Sequence, residues 1–208
     1  MNYIASIVDS LLVPRAYRNE QIGYLQNVAS QELGFSIRLA ATCGLRAVEL
    51  DTISRASEIT EDRRDWVPER FVGIQNSIEY VVTGKGGLRR KICVSMLLAD
   101  ELEHHRLPTP IRKISRGIHY MKLYGIVGGH NFSQQFSRLS FSEFSWSTGA
   151  HGLRHRYQLR DLRAKAGTDT ADASGDIRTA QKQLGHKNLS MTEHYIKKRR
   201  GDRVNPTR

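Results

Sequence analysis

The feature that most constrains this chain is one hairpin signal inside a sequence otherwise patterned for helices. Ile74 to Val82 and Arg90 to Val94 read as two strands. They are joined by Thr83-Gly84-Lys85-Gly86-Gly87, whose glycines supply the positive φ values that a tight reversal demands. On both sides, apolar residues return at helical spacing. From Tyr17 to about Thr42, Ile22, Leu25, Val28, Leu33, Ile37 and Leu39–Ala41 predict helix, with a break expected at Gly34. Gly44 interrupts, Leu45 to Ile53 resumes the pattern, and the polar stretch Ser54 to Arg70 reads as a loop or a short irregular element. Met96 to Arg106 predicts a helix that ends before Pro108, and Thr109 to Tyr124 another, basic on its outer face. The stretch from Asn131 to Trp146 is aromatic and serine-rich, with Phe132 and Phe136 at i, i+4. The aromatic set Phe132, Phe136, Phe141, Phe144 and Trp146 is expected in the core rather than stacked on bases. A helix is expected from Gly149 to about Lys165, a polar loop through Ser174, a helix from Asp176 to Leu184 stopped by Gly185, and a last segment from Ser190 to Arg200. Strand and helix nowhere alternate, which excludes a parallel α/β sheet. The expected class is mainly α with a small antiparallel β-sheet, an α+β domain.

A chain of 208 residues suits one domain with short appendages, and 39% hydrophobic residues is too many for a chain disordered by composition. Its 32 Lys+Arg against 21 Asp+Glu leave a net charge of +11. Such an excess suggests a polyanion: DNA, RNA or an anionic membrane surface. A well-solvated surface is the ordinary alternative. No apolar run approaches the ~18 residues of a membrane span. The start, MNYIASIVDSLLVPRAY, lacks the basic segment and cleavage site of a secretory signal, so a cytoplasmic location is expected. Cys43 and Cys93 lie far apart and form no C-x-x-C pair, which disfavours a disulfide framework and a structural zinc.

Several chemistries fail on spacing. Gly84-Lys85-Gly86-Gly87 is not a P-loop, and Gly125-Ile126-Val127-Gly128 matches a GxxG pattern too common to count. His151 and His155 stand at the i, i+4 spacing of a zinc pair but have no evident third ligand, so no metal and no cofactor are expected. A set that could converge on a phosphate remains. Arg46 follows Gly44, with Glu49 at i+3 where a carboxylate can hold the guanidinium. Lys85 sits at the hairpin tip, His151 and Arg154 share one helix face, His186 follows a helix end, and Tyr195 lies nine residues further on. Taken singly, each has an ordinary reading: a surface arginine, a solvated turn lysine, a wet helix face, a capping histidine, an interface tyrosine.

In this order they resemble the tyrosine recombinase (phage integrase) family, specifically its C-terminal catalytic domain. Thr42-Cys-Gly-Leu-Arg46-Ala-Val-Glu49-Leu is similar to the family's first arginine box, and Val82-Thr-Gly-Lys85-Gly-Gly-Leu-Arg89 to the hairpin bearing its lysine. His151-Gly-Leu-Arg154-His155 resembles the H-x-x-R box, and Leu184-Gly-His186 through Thr192-Glu-His-Tyr195 the closing box. The likeness runs from about Tyr17 to Tyr195 and implies a lead-in at 1–16, a catalytic domain at 17–196 and a basic tail at 197–208. Two departures stand out. The polar insert Gly167 to Gly175 lengthens the link before His186. Only about sixteen residues precede the first helix, where family members usually carry a DNA-gripping helical domain. A catalytic domain separated from that clamp and a minimal protein relying on partners both fit.

The resemblance implies site-specific DNA strand breaking and rejoining, in a phage or other mobile element. Arg46 and Arg154 would hold the scissile phosphate, Tyr195 would be the nucleophile, and the product would be a 3′-phosphotyrosyl ester. His151 would assist proton transfer, His186 would hydrogen-bond the phosphate, and Lys85 would protonate the leaving 5′ oxygen. The implied partner is double-stranded DNA, bound by a homo-oligomer (a tetramer), with accessory DNA-bending proteins and no membrane, in a bacterial cytosol and nucleoid-associated when bound. Lys113, Arg116 and Lys122, on one expected helix, and Lys197 and Lys198 in the tail are candidate phosphate contacts; a solvated face is the alternative for the first three. A type IB topoisomerase-like nicking-closing enzyme, or a non-catalytic DNA-binding remnant of the fold, would share much of this set.

Overall fold

The computed structural model describes residues 17–63 and 76–154. Helix α1 spans Asn19–Val28 and α2 spans Gln31–Cys43. The break between them falls at Ala29–Ser30, not at Gly34. Ser30 caps α2, its hydroxyl accepting from the Leu33 N–H at 3.4 Å. Gly34 instead lies inside α2 and is buried against α1: a Cβ there would stand 2.8 Å from the Gln26 carbonyl oxygen. Its small size permits a close helix–helix approach, so the sequence signal was packing rather than punctuation. Gly44 ends α2 in the left-handed conformation, φ 63°. The short helix α3, Ala47–Asp51, follows, shorter than the Leu45–Ile53 pattern predicts.

The expected hairpin is present as β2, Ser77–Thr83, and β3, Arg89–Ser95, joined through a 3₁₀ turn at Lys85–Gly87. A two-residue strand β1, Ser54–Arg55, inside the expected loop pairs with β2 to give an antiparallel sheet of order β1-β2-β3. Helix α4, Met96–His104, comes next. The segment expected as a helix over Thr109–Tyr124 is a second antiparallel sheet, formed by β4, Arg106–Ser115, and β5, Ile118–Tyr124. Ile111, Ile114, Ile118 and Met121 imitate helical spacing, yet Ile111, Ile114 and Met121 are all exposed. They were never a core stripe. The reversal lies at Arg116–Gly117, with φ of 50° and 75°, which a helix cannot contain. The described residues thus form an α+β fold with two small antiparallel sheets.

Helix α5, Gly129–Phe144, closes the core with Phe132 and Phe136 fully buried. Phe144 and Trp146 pack against the core as expected, but Phe141 is 63% exposed and is not a core residue. Tyr17 is fully buried, stacks on Trp146 at 5.2 Å, and accepts from the Thr148 N–H at 3.1 Å. It braces the loop leading to the helical turn at 151–154. Glu103 of α4 joins the two sheets: it pairs with Arg55 of β1 and accepts from the hydroxyls of Tyr80 (2.7 Å) and Tyr124 (2.9 Å). Burial and the Glu103 carboxylate push the Tyr124 phenol up to about 12. The bonds from Arg55, Tyr80 and Tyr124 outweigh the effect of burial on Glu103 and hold it at about 2.

Two glycines in adjacent helices should respond oppositely to alanine. Gly34→Ala is expected to lower stability by ~1–3 kcal/mol through overpacking. At Gly23 nothing lies within 4 Å of an added Cβ, so Gly23→Ala should raise stability by ~0.5–1 kcal/mol through helix propensity alone. Urea denaturation of both variants measures the signs.

Candidate active site

The site is organised around Glu49. It is fully buried in α3, a location where a carboxylate survives only with cationic partners. Its Oε2 accepts from the Arg46 backbone N–H at 2.8 Å and its Oε1 from Arg46 Nη1 at 2.8 Å, so one side chain caps the helix and fixes the guanidinium. Arg90 Nη2 donates to Oε2 at 2.8 Å, and Arg154 Nη1 stands 3.5 Å from the same oxygen. Burial pushes the Glu49 carboxyl up, but Arg90, Arg154 and Arg46 reverse this and hold it at about 2.

The surrounding backbone serves the same cluster. The Gly44 carbonyl accepts from Arg154 Nη1 at 2.6 Å and from Arg90 Nη2 at 3.3 Å. Gly84 packs so close that a Cβ would lie 2.7 Å from Glu49 Oε1. Its role is close approach, whereas Gly86 and Gly87 provide the positive φ, 74° and 77°. The Thr52 hydroxyl donates to the Thr83 carbonyl and accepts from the Thr83 N–H, both at 2.9 Å, tying α3 to the base of the hairpin that carries Lys85. At Gly152 a Cβ would collide with Tyr17 at 2.6 Å, which sets how closely the 151–154 turn docks.

The result is a cleft of about 780 Å³ lined by Arg46, Lys85, Arg116, His130 and His151 among others. Arg154 lies beside it with its side chain 11% exposed, against 33% for Arg46. His151 is exposed at the cleft; partial desolvation, then Arg154 and Arg46, lower its pKa below the ordinary 6.5 and favour the neutral imidazole. The cleft therefore joins fixed guanidiniums, a lysine on a hairpin tip and a neutral histidine, a combination suited to an anionic group undergoing proton transfer. Among the described residues no group of three His, Cys, Asp or Glu side chains is placed to hold a metal ion, and no helix is long and apolar enough to cross a membrane.

Arg46, Glu49, Lys85, His151 and Arg154 are thus brought together from three separate stretches of sequence. His186, Tyr195, Lys197 and Lys198 lie outside the described residues, as do His155 and the 167–175 insert. Arg116 reaches the cleft from a turn, not from a helix. Lys113 and Lys122 face Asp51, with Nζ–O distances of 3.6 and 2.8 Å, and Lys122 also donates to the Ile126 carbonyl at 2.7 Å. Lys122 is consequently engaged within the fold rather than presented to a phosphate. Arg90 was missed. Its parity with Ile92 and Val94, 3% and 0% exposed, places it on the inward face of β3. An arginine in phase with core residues is the signal that a buried carboxylate awaits it.

A sequence profile described as the phage integrase family matches residues 18–201. The chain belongs to that family. It is 29% identical over 158 residues to a protein named tyrosine recombinase XerC from Rhizobium meliloti (strain 1021), covering 74% of this chain and 41% of the relative. The fold resembles XerH site-specific recombinase bound to palindromic difH substrate in a post-cleavage complex, with TM-score 0.51, 16% identity, and coverage of 88% of this chain and 49% of that one. It is similar also to the pre-cleavage XerH complex with difH, with TM-score 0.52, 15% identity and coverage of 88% and 50%. This member of the phage integrase family thus spans about two-fifths to one-half of these relatives' lengths.

Replacing Glu49 with Gln should leave three guanidiniums facing a neutral amide. Unfolding free energy at pH 7 is expected to drop by ~3–5 kcal/mol. Because the folded-state pKa of about 2 lies below the ordinary 4.5, the stability due to ionised Glu49 is fully present above pH 4.5 and fades as pH falls toward 2. The gap between wild type and Glu49→Gln, read by denaturant titration, should therefore narrow below pH 4.5.

Proposed function

We propose that this chain is the catalytic part of a site-specific DNA recombinase that breaks and rejoins strands through Tyr195. The observation carrying this reading is the convergence of Arg46, Lys85 and His151 on one cleft, with Arg154 held beside it by Glu49 and the Gly44 carbonyl. Membership in the phage integrase family and the likeness to XerC support it. So does the fold shared with XerH, whose structures contain a DNA substrate.

The chemistry follows from the charges. The phosphodiester enters as an anion, and its transition state carries more charge on the nonbridging oxygens. Arg46 and Arg154 stay ionised and are already oriented, so they stabilise that charge without reorganising. The Tyr195 oxygen attacks phosphorus, its proton passes to the neutral His151, and the P–O5′ bond breaks as Lys85 gives its proton to the leaving oxygen. His186 hydrogen-bonds the scissile phosphate. The 3′-phosphotyrosyl ester keeps the bond energy of the diester, and a 5′-hydroxyl of a second strand reverses the steps and seals it. Strand exchange requires two duplexes, which is consistent with a DNA-bound homotetramer aided by DNA-bending proteins, acting for a phage or other mobile element in a bacterial cytosol. Arg116 at the cleft and Lys197 and Lys198 in the tail would contribute phosphate contacts.

The test uses duplexes drawn from the DNA flanking the gene, nicked near each potential scissile phosphate so that the short 5′ fragment diffuses away. A protein–DNA adduct that survives denaturation in EDTA should form with wild type and be absent with Tyr195→Phe, while salt-sensitive binding is retained by both. Arg46→Ala should slow adduct formation ~10²–10³-fold. Single-turnover cleavage should fall to half its plateau only below pH 6.5, because His151 must be neutral to accept the proton and its pKa is lowered from that value. Adduct formation by Tyr195→Phe would refute the nucleophile. Relaxation of supercoiled DNA lacking any preferred site would favour a topoisomerase.

A further inference from the structure

The ribbon β4–β5 has two faces with different fates. Its inner face is pinned to α3: Lys113, Tyr120 and Lys122 all reach the buried Asp51, with the Tyr120 hydroxyl donating at 3.4 Å. On the outer face Arg112 is opposite Met121 and Ile114 opposite His119, and all four are exposed. Ile114 is 62% exposed and Met121 46%. From Arg106 to Tyr124 the chain carries Arg106, Arg112, Lys113, Arg116 and Lys122 and neither Asp nor Glu. Arg106 pairs with Glu58, and the two lysines pair with Asp51. Arg112 and Arg116 form no ion pair among the described residues, so the uncompensated charge lies on the outer face and the tip. That tip is continuous with the catalytic cleft, since Ser115, Arg116 and Ile118 line it together with Arg46, Lys85 and His151.

We infer that the outer face of this ribbon reads base edges in the major groove of the duplex beside the scissile phosphate. The inference rests on the recombinase reading above. A two-stranded ribbon is an element the major groove admits, and its side chains match what that groove displays. Arg112 is suited to the O6 and N7 acceptors of guanine, and Ile114 and Met121 to thymine methyl groups. Arg112 lies four residues from Arg116, roughly 13 Å along the strand, so the bases read fall within about four base pairs of the phosphate held in the cleft. Buried Asp51 fixes the inner face, leaving the ribbon rigid enough for the outer face to discriminate.

Selection from a randomised duplex pool tests this directly, using wild type, Arg112→Ala and Met121→Ser, with thermal unfolding to verify folding. Both substitutions are at exposed positions outside the cleft. Wild type is expected to enrich a sequence with a guanine, which Arg112→Ala loses, its preference there falling about 10- to 100-fold. Met121→Ser should weaken a thymine preference at a neighbouring position. Both variants should still form the Tyr195 adduct on DNA carrying the enriched site. An unchanged enriched sequence in both variants, or enrichment of nothing by a wild type that binds duplex, would overturn the ribbon as a base reader while leaving the recombinase reading intact. No salt-dependent duplex binding by wild type would overturn both.

Discussion

One buried carboxylate sets the geometry on which this structure depends. Glu49 holds arginines from three places: Arg46 at the start of its own helix, Arg90 on β3 and Arg154 on the turn at 151–154. Removing four charges from water is costly, and mutual attraction recovers that cost only when the geometry is tight and every polar atom is bonded. Here the Gly44 carbonyl and the Arg46 backbone N–H complete the set. An α-helix, a hairpin and a later turn are thereby locked together at one point. Of the three guanidiniums Arg46 alone lines the cleft, with Lys85 and Arg116 adding positive charge there.

A second carboxylate, Asp51, sits two residues on and does comparable work for the β4–β5 ribbon. It takes Lys113, Lys122 and Tyr120 from one side, and on the other it fills the space against Gly128 and Gly129, where a Cβ would approach within 2.4 and 2.6 Å. The five-residue helix α3 therefore anchors both the arginine cluster and the ribbon. Such a short helix has little intrinsic stability. Its persistence derives from these tertiary contacts and from its Glu49 cap, so fold and site are supported by the same few side chains.

Much of the site was legible in the sequence because the spacing carried physical meaning: a glycine C-cap then Arg46 and Glu49, a glycine-rich turn around Lys85, His151 and Arg154 one helical turn apart. The hairpin β2–β3 was equally legible, since alternation and Gly86–Gly87 agree. The ribbon was not, because Ile111, Ile114, Ile118 and Met121 fall at helical intervals by coincidence of two opposite faces. Only Arg116–Gly117 gave it away, and Arg116 is an uncommon residue for positive φ. Arg90 and Asp51 were hidden for a related reason. Their importance comes from partners distant in sequence, and a charge's burial can be inferred only from the parity of its apolar neighbours.

The claim that Glu49 is ionised and clamped by its arginines is most directly tested by following its side-chain carboxyl carbon by NMR as pH is lowered from 7 to 3.5. With a pKa held at about 2, that resonance should scarcely move across the range, while exposed glutamates titrate near their ordinary 4.5. A Glu49 resonance that titrates with the exposed glutamates would mean the guanidiniums do not hold the carboxylate. The organisation of the cleft would then need another cause.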